Sequence, residues 1–169
     1  MAELHLFGTG YVRVGAVGAA LTNVSNGIGS IQSIDSNVKF DKKELYNTPV
    51  VAMFAVDVGF SKGAASVKLE FNDINRNLFP IILGAVKTTA AAVDTYTITG
   101  TSKPTLFRLE FDMLSNDAVP KNYKGVFYNC YCAELPITSK LDDFSSETLE
   151  IFAILDPTTG NIGTIAIDE

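Results

Sequence analysis

The stretch Ala65-Ser66-Val67-Lys68-Leu69-Glu70-Phe71-Asn72 decides the fold class. Drawn as an extended chain, it puts Val67, Leu69 and Phe71 on one side and Ser66, Lys68, Glu70 and Asn72 on the other. A period of two marks a half-buried strand. The same period recurs in Thr105 to Asp112, where Phe107, Leu109 and Phe111 oppose Arg108, Glu110 and Asp112. It recurs again in Gln32 to Phe40, with Ile34, Val38 and Phe40 against Asp35, Asn37 and Lys39. Strands with one apolar and one polar face belong to antiparallel sheets. Three further runs, Val50–Val56, Val126–Ala133 and Leu149–Leu155, are apolar on both sides. These predict strands covered twice, by the domain core and by something else, and a second subunit is the natural second cover.

The connections follow from turn chemistry. Asp156-Pro157-Thr158-Thr159-Gly160 separates two strand-like runs and predicts a terminal hairpin, with Pro fixing φ early and Gly admitting positive φ late. Thr95–Thr99 and Thr105–Asp112 form a second candidate pair across Gly100-Thr101-Ser102-Lys103-Pro104, and the Ala-rich run Ala90–Val93 reads as loop. One segment has a helical period. Ile74, Leu78, Ile81 and Ile82 fall at i, i+4, i+7 and i+8, which predicts a short helix over about 73–84. Asn72 or Asp73 would be its cap, Gly84 its terminator and Pro80 a kink in its last turn. The expected fold is a single mainly-β domain over residues 1–169, an antiparallel sandwich or open barrel with one short flanking helix. No repeat or domain-scale linker divides it.

Composition narrows the chemistry. The chain has 169 residues, of which 47% are apolar and 19% charged, as in a folded globular domain rather than a disordered one. Thirteen bases against 19 acids give a net charge of −6, the opposite of a free-standing nucleic-acid binder. The excess lies in the second half: residues 1–84 are neutral, and from Glu134 onward eight acids face one base, Lys140. A single histidine, His5, makes zinc sites and His-based nucleophilic dyads hard to build, and it reads as an ordinary strand residue. Cys130 and Cys132 are spaced i, i+2, which is neither a redox C-x-x-C nor a zinc knuckle. On a strand they share a face and read as buried free thiols, with a disulfide to a neighbouring subunit as the alternative. Bonding to each other is disfavoured, because extended i, i+2 Cα atoms lie about 6.6 Å apart. No leader-like segment and no bilayer-length apolar run appears, so the expectation is a soluble chain made in a cytosol, without membrane insertion.

Tests for catalytic motifs return nothing positive. Gly8-Thr9-Gly10 with Gly15 and Gly18 is followed by the strand-like Tyr11-Val12-Arg13-Val14, so it does not open a helix as a dinucleotide fingerprint must. These glycines read as turn residues of an N-terminal arm, about 1–15. Asp142-Asp143 reads as a solvated acidic turn, and Lys42-Lys43-Glu44 as a mixed charge run on a loop. The expectation is a non-enzyme with no cofactor and no metal.

The order of segments resembles the major tail tube protein of tailed bacteriophages. The likeness runs through Gly10-Tyr11-Val12-Arg13-Val14-Gly15, Ile28-Gly29-Ser30-Ile31-Gln32-Ser33-Ile34 and Phe40-Asp41-Lys42-Lys43-Glu44-Leu45-Tyr46. It continues in the strand Ser66–Asn72 running into Asp73-Ile74 and a helix ending at Leu83-Gly84. Leu141-Asp142-Asp143-Phe144-Ser145 and Asp156-Pro157-Thr158-Thr159-Gly160 complete it. It covers most of the chain as a pattern of elements rather than a strict motif.

The resemblance implies a β-sandwich with a flanking helix, assembled as hexameric rings stacked into a tube. Its partners would be further copies of itself, the tape-measure protein, and tail terminator or baseplate proteins, with a sheath as a further candidate. DNA would pass through the lumen without specific binding, and the protein would reside in the virion tail after synthesis in the host cytoplasm. A loop matching about 41–49 would reach the next ring, making Lys42, Lys43, Leu45 and Tyr46 interface candidates. Glu70, Glu110, Asp112 and Glu150, opposite the apolar strand faces, are the candidate lumen-facing acids, because a wall of phosphate's own sign does not trap DNA. A tube subunit of a contractile injection or secretion machine, or a capsid decoration protein, remains as the alternative. A ligand-binding barrel or an enzyme is the most distant one.

Overall fold

Seven strands form one antiparallel sheet in the computed structural model, which describes residues 10–45, 57–114, 121–135 and 147–167. Chain order is β1 (Tyr11–Ala16), α1 (Asn23–Asn26), β2 (Gly29–Leu45), β3 (Asp57–Ile74), a 3-10 turn (Arg76–Leu78) and α2 (Phe79–Leu83). Then follow β4 (Val86–Ala90), β5 (Val93–Thr97), β6 (Phe107–Leu114), β7 (Asn122–Cys132), β8 (Glu147–Ile154) and β9 (Gly163–Ile167). The sheet runs β1-β6-β7-β8-β3-β2, with β9 also on β7, while β4 and β5 make a separate hairpin. The mainly-β expectation holds, as a sandwich-like sheet whose barrel stays open.

The alternating runs do what their period dictates. Val67, Leu69 and Phe71 of β3, Phe107, Leu109 and Phe111 of β6, and Leu149 and Ile151 of β8 are all buried in one core. Val12 and Val14 join them, so Tyr11–Ala16 is a core strand and not part of an arm. Residues 1–9 lie outside the described residues. The sheet curls around this core until its ends nearly meet. The Ile28 amide donates to Val12 O at 2.9 Å, and Arg13 and Gly27 form an isolated bridge.

Four expectations change. First, the helical segment is shorter than 73–84. Asn72, Asp73 and Ile74 belong to β3, with Gly29 and Ser30 opposite Ile74 and Asp73. Asn75 caps the 3-10 turn by accepting from the Asn77 amide at 3.1 Å. Pro80 stands at the start of α2, where its missing N–H costs nothing, rather than kinking a last turn. Leu78 and Ile82 are buried, and Gly84 ends the helix at φ 64°, where a Cβ would lie 2.0 Å from Lys103 O.

Second, Asp156–Gly160 is a turn but not a hairpin. β8 and β9 both run antiparallel to β7 along the same edge, β8 against Asn129–Cys132 and β9 against Tyr123–Phe127. They form one line broken by an excursion. The Asp156 carboxylate accepts from the Thr158 amide at 3.0 Å and the Thr159 hydroxyl at 2.8 Å, and the Asp156 amide donates to Asn161 O at 2.9 Å. The loop therefore closes on itself and the chain leaves in the direction it entered. The Thr158 backbone N–H, followed by the Thr159 hydroxyl, holds the Asp156 carboxyl below the usual carboxylate range.

Third, β5 pairs with β4 and not with β6. The Ala-rich run contributes Ala91 and Ala92 as the two-residue turn, at φ 48° and 62°. Two positive φ values make this the turn that matches strand twist, yet alanine carries a Cβ penalty of roughly 1 kcal/mol or more at each. Ala91→Asn with Ala92→Gly is expected to slow amide hydrogen exchange across β4 and β5 by about tenfold, equivalent to about 1.4 kcal/mol. Unchanged exchange would contradict the strain at this turn.

Fourth, β7 is not a strand with two equivalent apolar faces. Leu109 faces Phe127 and Phe107 faces Cys130, so one residue of β6, Arg108, stands against two of β7. This bulge at Tyr128 and Asn129 shifts the phase, bringing both Phe127 and Cys130 to the core. Part of the second cover comes from within the chain: Tyr131 of β7 stacks on Phe152 of β8 with centroids 5.5 Å apart, and Arg108 lies over the Tyr128 ring. The run Val50–Val56 lies outside the described residues.

Candidate assembly surfaces

Residues paired across antiparallel strands project to the same side, so the register assigns the outer face of the sheet. Asp35, Lys68 and Glu150 form one row, Ser33, Glu70 and Thr148 the next, and Arg13 stands opposite Glu110. All four candidate lumen acids do lie on the face turned away from the core, but they are not equivalent. Glu70 is exposed, in a row with one negative charge and no positive one. Glu150 is half-buried beside Lys68 and lines a groove of about 380 Å³ with Glu134, Thr148 and Phe152.

Glu110 and Asp112 are neutralised where they stand. The Arg13 guanidinium bonds the Asp112 carboxylate, donates to Asn23 Oδ1 at 2.6 Å, and places Nε 3.4 Å from Glu110 Oε2. Arg108 holds the other Glu110 oxygen at 2.6 Å. Arg13 is 7% exposed and Glu110 5%. The sequence reading missed Arg13, although a signal was there: one arginine opposite Val12 and Val14 in an otherwise uncharged strand needs a carboxylate on that face. This network ties α1 to the sheet through Asn23, whose helix is capped by Thr22 accepting from the Ser25 amide.

The second surface is the β2–β3 ribbon. Lys42, Lys43 and Leu45 are in β2, opposite Phe60, Gly59 and Asp57, so the expected loop over 41–49 is strand as far as Leu45. Tyr46 lies outside the described residues, as does Asp142-Asp143. β8 pairs only with Ala65–Phe71 of β3. Among the described residues, 57–64 are therefore in register with β2 alone, and the two strands continue past the sheet as a two-stranded ribbon. Phe40 falls on this projecting part and is 58% exposed, and Val38, opposite Ala65 in the last row that β8 reaches, is 46% exposed; neither is on the core as their alternation suggests.

The thiols are buried free cysteines, as the sequence reading prefers. Cys130 donates weakly to Phe127 O at 3.8 Å and Cys132 to Glu134 O at 2.8 Å. A bridge to another subunit needs a sulfur at the surface and does not fit this burial. Desolvation pushes the Cys130 thiol up to about 12 and raises Cys132 as well. Below about pH 8 both states keep this thiol largely protonated. Above it the unfolded chain loses the proton first, so stability falls as pH rises toward 12, by about 1.4 kcal/mol per pH unit from this group. Urea unfolding from pH 8 to 11 is expected to show this fall, and Cys130→Ala to flatten it. An equal slope in the variant would refute the assignment.

Among the described residues, no three His, Cys, Asp or Glu side chains are grouped to hold a metal ion, and no helix is long and apolar enough to cross a membrane. Compared with protein-family models and with the sequences of curated proteins, the chain matches none.

Proposed function

We propose that this chain is a structural subunit of the tail tube of a tailed bacteriophage. It associates with copies of itself into stacked hexameric rings, resides in the virion tail, and catalyses no reaction. The tape-measure, terminator and baseplate proteins are its further partners, and DNA crosses its lumen unbound. The observation that carries the reading is the β2–β3 ribbon. A two-stranded ribbon is marginal in water by itself, and this one projects with Phe40 uncovered and Val38 exposed at its base. Such an element gains stability by lying on a neighbouring molecule, and a repeating subunit supplies the same neighbour every time.

Two further features support self-association. Among the described residues the open sheet leaves β1, β2 and β9 as edge strands, and closure between subunits removes such edges. On the outer face, the row holding Glu70 would repel phosphate rather than retain it. The test is direct. The purified, concentrated protein is expected to form rings or tubes in negative-stain electron micrographs, with mass by light scattering in multiples of six subunits. A monodisperse monomer at the highest attainable concentration would sink the reading.

A further inference from the structure

Beside the seam where β1 approaches the start of β2 lies a cleft of about 740 Å³, apart from the ribbon. Its floor is bare because Gly27 and Gly29 line it. A Cβ on Gly27 would stand 2.6 Å from Asn23 O, and Gly29 holds φ at 139°. Tyr11, Asn23, Asp73, Asn75, Arg76 and Asn77 form its walls.

Some of these groups build the wall and others face the space. Asn75 donates from Nδ2 to Gly27 O at 3.2 Å and accepts from the Asn77 amide, which fixes the rim. Asn23 and Asn77 use their carbonyl oxygens, accepting from Arg13 and from Lys87 at 3.4 Å. Their side-chain nitrogens each carry two further donors. Asp73 adds acceptors, Arg76 adds a fork of donors, and both are exposed. Tyr11 is 61% exposed and presents a flat apolar ring with a polar tip.

The chemistry of the ligand follows by elimination. The lining carries one negative and one positive charge, so it has no net charge that selects an ion of either sign. Apart from Tyr11 and Val12 the walls offer no apolar surface to a hydrophobic ligand. A neutral ligand with many hydroxyls answers all of these features: its C–H face packs on the ring, and neighbouring hydroxyls bridge carboxylate, amide and guanidinium. We infer that this cleft is a binding site for a neutral saccharide. A nucleoside shares some of this chemistry, and only the single ring of Tyr11 is there for a base to stack on.

The inference goes beyond the tube reading and stands apart from it, because the measurement works on monomers and assemblies alike. Isothermal titration calorimetry of the full chain would use maltotetraose, cellotetraose and chitotetraose, each to about 10 mM, with adenosine and guanosine in parallel. The expected result is saturable binding of at least one sugar in the millimolar range. Tyr11→Ala and Asp73→Ala should each weaken it about tenfold, with an unchanged circular dichroism spectrum because both side chains are exposed. No saturable heat from any of the three sugars, binding unaltered in both variants, or tighter binding of a nucleoside than of every sugar would each overturn it.

Discussion

Phe40→Asp is expected to abolish tube formation at concentrations where the unaltered chain assembles, and to leave the subunit folded. Among the described residues, Phe40 is on the part of β2 that has only β3 beside it, and it is more than half exposed, so its removal takes nothing from the core. In an assembly it would be covered. Full burial of a phenylalanine contributes roughly 2–3 kcal/mol, and a carboxylate in its place would have to be desolvated without a partner. Together these raise the critical concentration for assembly by at least about a hundredfold. Val38→Lys, on the same face of the strand, should act in the same direction with a smaller effect. Sedimentation and electron microscopy read the assembly, and urea unfolding reads the fold. Tubes of ordinary amount and length from folded Phe40→Asp would remove the ribbon from the contact. Loss of folding would instead show that Phe40 is part of the core.

The contrast between Phe40 and Phe71 shows how far the sequence could be read. Both stand in runs of period two, and period alone assigns each to the apolar side of its strand. It cannot say where along a strand the sheet stops. Phe71 has β8 beside it and the core beneath, whereas Phe40 lies past the last residue that β8 reaches. Strand length relative to its neighbours is a tertiary quantity, so the 17 and 18 residues of β2 and β3 were not legible as one ribbon. The turns show the same limit. Asp156–Gly160 announced a reversal of local direction, and the reversal is there. Its closing bond, from the Asp156 amide to Asn161 O, converts it into a detour within one line of strand, and that bond depends on loop length and not on turn chemistry alone. Local signals that need no neighbour were legible: Gly84 as a helix stop, Cys130 and Cys132 on one buried face, and the polar side of β6. The candidate site was legible as a set of positions and not as a set of environments. Glu110 and Glu70 look alike in their strands, and only the pairing of β1 with β6 places an arginine over the first and none in the row of the second.

That pairing sets the second large effect, which falls on Arg13→Met. Met matches the stem of arginine in length and covers similar apolar surface, so the change isolates the loss of charge and hydrogen bonds. The loss is concentrated. Asp112 gives up its guanidinium partner, Asn23 loses the donor that ties α1 to the sheet, and Glu110 keeps only Arg108 in a place 5% exposed. Removing one member of a buried ionic group usually costs 3–5 kcal/mol, because the charge left behind is not solvated. The remaining Arg108 contact and the partial exposure of Asp112 place this case near the lower end, at about 3 kcal/mol. That is a large share of the stability of a domain this size. Urea unfolding should show a lower midpoint at unchanged slope, and added salt should restore little of it, since ions do not reach a buried pair. Arg13→Met combined with Glu110→Gln should recover part of the loss, by removing the stranded carboxylate along with its former partner. If the double variant were as unstable as the sum of its parts, the network would be acting through packing and not through charge. A loss below about 1 kcal/mol for the single variant would mean that the cluster behaves as an exposed one, with solvent already screening Glu110.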